Sequence, residues 1–341
     1  MTRLALRQFR SEAAVAVAAL AVVAVVLGVT GPHLVHVYRT TPRQLGDTYG
    51  ALQNALSALL LVAPALAGIF FGAPLVAREL ETGTFRLAWT QSVGRSRWLL
   101  VKYAVVGTAA SVLAGGLSLM AAWWANPIDV WEQNRFTPSA FGMFGIVPFG
   151  YALFAFALGA TAGLVCRRTL PAMVATLVGY VGARYVATYW IRPHLEAPLR
   201  LSLPLAKAGG VGFVVSPTGG VVMTVSPPDV ANAWPLSASV VDGAGRSPTP
   251  QVLARTCPTV ARGGGAPAPA LGVGGAHHVR PAPGGGFQAC VEHLAARYHV
   301  VMTYQPASRY WPFQAYETAL FVLAAVALAA LGVWWVRRRA A

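Results

Sequence analysis

The sequence predicts an all-α polytopic membrane protein: six transmembrane helices, with a small α+β, partly disordered extracytoplasmic domain between helices five and six. Three observations carry that reading. Of 341 residues 56% are hydrophobic and only 11% charged, where a soluble globular chain is roughly a quarter charged. The uncharged residues fall in runs long enough to cross about 30 Å of hydrocarbon at 1.5 Å per residue. Ahead of the last run lies a Gly/Pro-punctuated stretch that is too long for a connector and long enough for a small domain.

The apolar runs are 11–30, 51–77, 99–124, 141–165, 169–191 and 317–336. The first follows Arg3, Arg7 and Arg10 and could be read as a secretion signal. Its length exceeds the 7–15 residues of a signal core, and "GVTGPHL" offers no A-x-A cleavage site, so a retained helix is expected. Orientation follows from Lys and Arg in the short connections. With the N-terminus inside, the cytoplasmic pieces hold Arg3, Arg7, Arg10, Arg78, Arg86, Arg95, Arg97, Lys102, Arg167, Arg168, Arg337, Arg338 and Arg339. The two short outer loops hold Arg39, Arg43 and Arg135. Both termini are therefore expected in the cytoplasm. The same rule accounts for the net charge of +15, which in a soluble chain would suggest nucleic acid; no nucleic-acid partner is expected. The basic residues are 24 Arg and two Lys, with abundant Ala, Gly and Pro, a bias that fits a high-GC bacterial coding sequence.

The domains expected are thus 1–191, a five-helix membrane part with a connector at 78–98; 192–316, outside the cell; and 317–341, the sixth helix with a basic tail. In the outer domain "GFVVSPTGGVVMTVS" supplies apolar pieces, and "ARGGGAPAPALGVGG" and "RPAPGGG" supply tracts that hold neither helix nor strand. "FQACVEHLAARYHVVMTYQP" reads as a short helix followed by a strand. Cys257 and Cys290 both lie in this domain, where oxidation is permitted. A disulfide between them is expected, with two free thiols as the alternative. Cys166, at the inner end of the fourth run, is left to pack.

Several chemistries are missing. There is no G-x-x-x-x-G-K-[ST] phosphate loop, so no ATP hydrolysis by this chain is expected, and no H-E-x-x-H or G-x-S-x-G. The acidic residues sit at run ends or in loops, and all seven histidines (His33, His36, His194, His277, His278, His293, His299) fall on the outer side. That argues against a proton-driven transporter, which places such groups within its helices. No metal site is expected from the His277–His278 or His293/His299 pairs. One charge is out of place: Arg184, about two turns inside the outer end of the fifth run. It is expected to pair with Glu317 at the start of the sixth, the alternative being that it snorkels to the interface. Gly159-x-x-x-Gly163 in the fourth run permits close approach of helix backbones.

The connector "RELETGTFRLAWTQSVGRSRW" remains. Gly83 interrupts the helix arriving from the second run; a short helix from Thr84 to Val93 would end at Gly94, with Ser96 placed to cap the third run. Phe85 and Trp89, four apart, would share an interfacial face. Glu79 and Glu81, with Arg86, Arg95 and Arg97, would project into the cytoplasm. A solvated, positive-inside loop with aromatic anchors is the bland alternative.

The run "GAPLVARELETGTFRLAWTQSVGRSRWLLVK", residues 72–102, resembles the connector of bacterial ABC transporter permeases of the type-2 exporter class. The matching parts are Glu79 and Glu81, Gly83 and Thr84, Leu87 and Thr90, Arg95 or Arg97 with Trp98, and Lys102. "RPHL" at 192–195 and "YQPASRYWPFQAYETALFVL" at 304–323 are similar to segments of such permeases from high-GC bacteria. The resemblance implies a half-transporter without its motor. A separate nucleotide-binding ATPase subunit would carry ATP and Mg, this chain binding no cofactor, and would dock on the connector. A second permease copy or paralogue would complete a dimer in the lipid of the bacterial plasma membrane. It further implies ATPase contact or support by Glu79, Glu81, Gly83, Thr84, Phe85, Arg86, Trp89, Thr90, Arg95 and Arg97, and an N-terminal amphipathic stretch, "MTRLALRQFRSE", on the inner surface. The cargo would be apolar or amphipathic. A permease-like sensor or immunity protein, binding ligand through its outer domain, is the alternative.

Overall fold

The computed structural model describes residues 10–41, 44–83, 94–132, 135–215, 221–228, 230–258, 277–279 and 285–339. The chain divides into two compact units, Met1–Leu195 with Ser308–Ala341, and Glu196–Ala307.

Among the described residues six helical segments are long and apolar enough to cross a membrane: Ala14–Thr40, Leu45–Thr82, Ser96–Ile128, Val147–Cys166, Thr169–His194 and Ala307–Arg338, here spans one to six. Most run further than the apolar runs in the sequence, because polar and aromatic residues at the ends continue the helix once its hydrogen bonds are propagating. Span four is the hub and packs against spans two, three, five and six. Tyr151, Ala155, Phe156 and Ala160 in it are fully enclosed.

Glycines set the closest approach. A Cβ on Gly159 would lie 2.3 Å from the carbonyl oxygen of Gly68, and one on Gly163 2.7 Å from that of Ala73. Reciprocally, a Cβ on Gly68 or Gly72 would lie 2.5 Å from the carbonyl oxygen of Ala155 or Phe156. The Gly159/Gly163 pair thus meets a matching Gly68/Gly72 pair within the same chain. That stretch of span two, Ala67–Gly72, is a π-helical turn three residues after Pro64. Tyr103–Gly107 in span three and Ala187–Ile191 in span five are π-helical as well. Such one-turn bulges re-aim the helix that follows.

Spans one, two and three share an apolar cluster that includes Leu27, Leu34, Tyr49, Leu56, Leu60 and Trp124. Trp124 donates its indole N–H to Thr30 Oγ1 at 2.9 Å. Cys166 packs with Ala73, Ala77 and Ala172 where spans two, four and five meet.

The second unit is α+β. Strands β1 (Leu199–Pro204), β4 (Trp234–Asp242) and β6 (Tyr298–Gln305) form an antiparallel sheet ordered β1–β6–β4; β2 (Gly210–Val215), β3 (Val221–Ser226) and β5 (His277–Val279) form a second, ordered β3–β2–β5. Val240 pairs with Val300 in the first sheet, and both join Leu205, Phe213, Leu253 and Leu294 in one core. The helix and strand expected near the end of this stretch are Gly285–Ala295 and β6. Cys257 and Cys290 form a disulfide buried in that core, linking the end of the Pro250–Thr256 helix to the Gly285–Ala295 helix. The expected connector helix over 84–93, the first nine residues of the amphipathic stretch "MTRLALRQFRSE" and most of the Gly/Pro tracts lie outside the described residues.

Candidate functional site

The connector leaves span two at Gly83 and re-enters the described chain at Gly94. Span two ends with Gly83 at φ 71°, a left-handed conformation that glycine adopts without a Cβ clash. Both roots are fastened. Glu79 on span two and Lys102 on span three form an ion pair at 2.5 Å, with side-chain exposures of 17% and 6%. The same ammonium lies 4.4 Å from the ring centre of Trp98 and is 3.5 Å from the carbonyl oxygen of Leu75. A lysine this enclosed needs its carboxylate, because desolvation otherwise penalises its charge.

Two residues on, Glu81 accepts from both the backbone N–H (3.2 Å) and the hydroxyl (2.6 Å) of Thr169, the first residue of the span-five helix. A carboxylate there caps orphan N–H groups and meets the positive end of the helix dipole. At the other root Ser96 accepts from Arg337 Nε at 3.0 Å, which ties the start of span three to the end of span six. Ser96 is not the cap expected of it: the helix begins at Arg95 after Gly94, and the Ser96 hydroxyl serves Arg337. Spans two, three, five and six are thereby cross-linked by polar contacts around the connector.

Of the expected connector residues, Glu79 and Glu81 are engaged by the chain itself rather than projecting freely. Arg97 is exposed, and Arg95 is described in its backbone only. Thr84, Phe85, Arg86, Trp89 and Thr90 lie outside the described residues. Lys102 and Trp98 belonged to the quoted motif, but nothing in it revealed that they close on Glu79. Thr169 carried no signal.

At the opposite end of the bundle, the ion pair expected between Arg184 and Glu317 forms instead between Arg192 and Glu317. Arg192 Nε and Nη2 donate to the two carboxylate oxygens at 2.7 and 2.9 Å, and Tyr151 donates its hydroxyl to the same carboxylate. Arg192 is 0% and Glu317 2% exposed. The guanidinium lies 4.2 Å from the ring centre of Phe141. Pro193 makes Arg192 look like a loop residue in the sequence. The π turn at Ala187–Ile191 and the 3-10 turn at Arg192–His194 carry the helix past it and turn it into the bundle. Arg184, about two turns deeper, lies 4.1 Å over the Tyr151 ring and donates to the Tyr180 hydroxyl at 3.3 Å.

One turn from Glu317, Gln314 is also 0% exposed. Its Oε1 accepts from the backbone N–H groups of Ile146 and Val147 (3.0 and 3.1 Å), and its Nε2 donates to the carbonyls of Phe141 and Phe144 (both 3.0 Å). Gln314 therefore caps the start of span four from span six. The quoted 304–323 run contained Gln314 and Glu317, and "RPHL" contained Arg192; what was missing was their geometry.

These features define a polytopic helical membrane protein with a clamped connector at one end and a buried polar lock at the other. The chain belongs to the ABC-2 membrane transporter related family, whose model matches residues 13–192, and so is a membrane component of the ABC-2 permease type. That match covers spans one to five and the connector, and stops at Arg192. No curated protein and no solved structure matches the chain.

Proposed function

We propose that this chain is the membrane-spanning subunit of an ATP-driven exporter, working with a separate ATPase subunit that docks on the 78–98 connector. The observation that carries the reading is the fastening of that connector at both roots, in a chain of the ABC-2 family. Glu79–Lys102, Glu81–Thr169 and Ser96–Arg337 join the connector to four of the six spans. A push on it would therefore reach the bundle as helix displacement rather than be absorbed by a loose loop. In this role Glu79 and Glu81 are positioning residues that hold the connector, and the exposed Arg97 is available to meet the ATPase. ATP and Mg sit on that partner.

Lys and Arg counts support a cytoplasmic position for both termini, the connector and the basic tail, with the second unit on the outer side, and the Arg-, Ala-, Gly- and Pro-rich composition supports a bacterial plasma membrane. The disulfide suits that compartment. An apolar or amphipathic cargo is supported by a groove of about 760 Å³ between spans one, two and three. Leu20, Val23, Leu59, Phe71, Val106 and Leu113 are among its lining residues, which are all apolar. A second permease, a copy of this chain or a paralogue, completes the transporter.

The test is purification of the tagged chain from its native host in mild detergent. A stoichiometric subunit bearing a phosphate loop should accompany it. Exchanging Glu79 and Glu81 for Lys together should release that subunit while the chain still inserts. A solitary chain, under conditions that keep other ABC complexes whole, would contradict the proposal.

A further inference from the structure

At the end of the bundle opposite the connector lies a pocket that neither the coupling reading nor the Arg192–Glu317 lock uses. It has a volume of about 410 Å³ and is lined by Gly31 and Val35 of span one and by Trp123, Trp124 and Asn126 of span three, with Arg135 just beyond that span. Arg135 is the one charged group among the described lining residues. Its guanidinium lies 4.9 Å from the ring centre of Tyr310 and 6.0 Å from that of Trp311. Its Nε is buried and has no hydrogen-bond partner among the described residues. Buried donors are almost always satisfied, and a charged one left unmade is costly. Arg135 thus brings a cation to the pocket wall with ring faces beside it and no carboxylate paired to it among the described residues, and an acceptor anion from outside the chain is the complement it lacks.

The location narrows the anion. Spans one and three end near here, at Thr40 and Ile128. Trp123 and Trp311 are 62% and 55% exposed, as interfacial aromatics are. At that depth the abundant anion is the phosphate of a phospholipid headgroup, whose oxygens match the planar donor fork of arginine. We propose that Arg135, framed by Trp123, Trp124 and Asn126, binds the phosphate of an anionic phospholipid headgroup. This site does not depend on which subunit drives the chain.

The test uses the full chain in nanodiscs of phosphatidylcholine, titrated with fluorescently labelled phosphatidylglycerol. The expected result is one saturable site that Arg135→Gln weakens at least tenfold and that Arg184→Gln leaves intact. Gly31→Val, whose added side chain would crowd Trp123 (3.0 Å from a Cβ at this position), should weaken it while keeping every charge. It also decides the matter if the Arg135 variant fails to fold. Equal binding by wild type and variants would overturn the proposal. Displacement of the lipid by inorganic phosphate at matched concentration would overturn the lipid assignment, marking a free-anion site instead.

Discussion

Glu317 illustrates how much one carboxylate can organise. It accepts two hydrogen bonds from Arg192 and one from Tyr151, in surroundings that exclude water. Glu317→Gln leaves the guanidinium enclosed without a counter-ion, which typically costs about 3–5 kcal/mol. The melting temperature of the purified chain should fall sharply. Replacing both partners with leucine should cost less than the single change, because no charge is stranded. Arg184→Gln should be milder than either, since its direct contacts are a ring face and a tyrosine hydroxyl and it forms no ion pair with Glu317. The sequence marked Arg184 as a charge that must snorkel or find an anion, with Glu317 as the candidate, but not that Arg192 would take it: helix continuation through Pro193 cannot be read from composition. A smaller prediction concerns Asp242, whose Oδ1 accepts from the N–H groups of Ala244 and Arg246, both at 2.9 Å. Those bonds, the one from Arg246 foremost, hold its carboxyl below the usual range. A depressed carboxyl contributes stability that is present above its unfolded pKa and lost as pH falls through the folded one. Asp242→Asn should accordingly speed amide exchange at Ala244 and Arg246 at neutral pH, and have no effect once the wild-type carboxyl is protonated.

At the level of elements, the seam between spans two and four decides whether the bundle closes. Gly159→Ala puts a methyl group 2.3 Å from a backbone oxygen that has no rotamer to move, so the helices must separate. Loss of the folded, monodisperse protein on size exclusion is expected. Gly116→Ala, where a Cβ meets nothing within 4 Å, should behave as wild type. In the second unit the Cys257–Cys290 bridge closes a 33-residue separation. The chain-entropy estimate for such a loop is about 3–4 kcal/mol. Cys257→Ser should make Glu196–Ala307 markedly more sensitive to protease while leaving the spans protected. Six spans were legible because twenty uncharged residues leave a chain few other places to go. The partner of Gly159-x-x-x-Gly163 was not, since the spacing permits close approach without naming the helix approached. The sheet orders were not legible either: β1 and β6 pair across about a hundred residues of chain.

For the whole molecule, the contacts around the connector matter more than any single charge. Glu79, Glu81 and Ser96 reach three different elements, so the connector roots move with spans two, three, five and six or not at all. Recognising residues 72–102 in the sequence identified the family but left the clamps unseen, because Lys102, Thr169 and Arg337 are far from their partners along the chain. If the clamps transmit work, Lys102→Met should uncouple the complex. ATP hydrolysis by the partner would continue, and transport in proteoliposomes would fall by more than hydrolysis does. The most direct test of the docking claim is a photo-cross-linking scan, with a photoreactive residue placed in turn at each position from 84 to 93 and, as controls, at Val35 and Trp311. The account predicts cross-links to a phosphate-loop subunit from positions within 84–93, weakened when Glu79 and Glu81 are both replaced, and none from the controls. Cross-links to that subunit from the controls alone, or from no position, would contradict it.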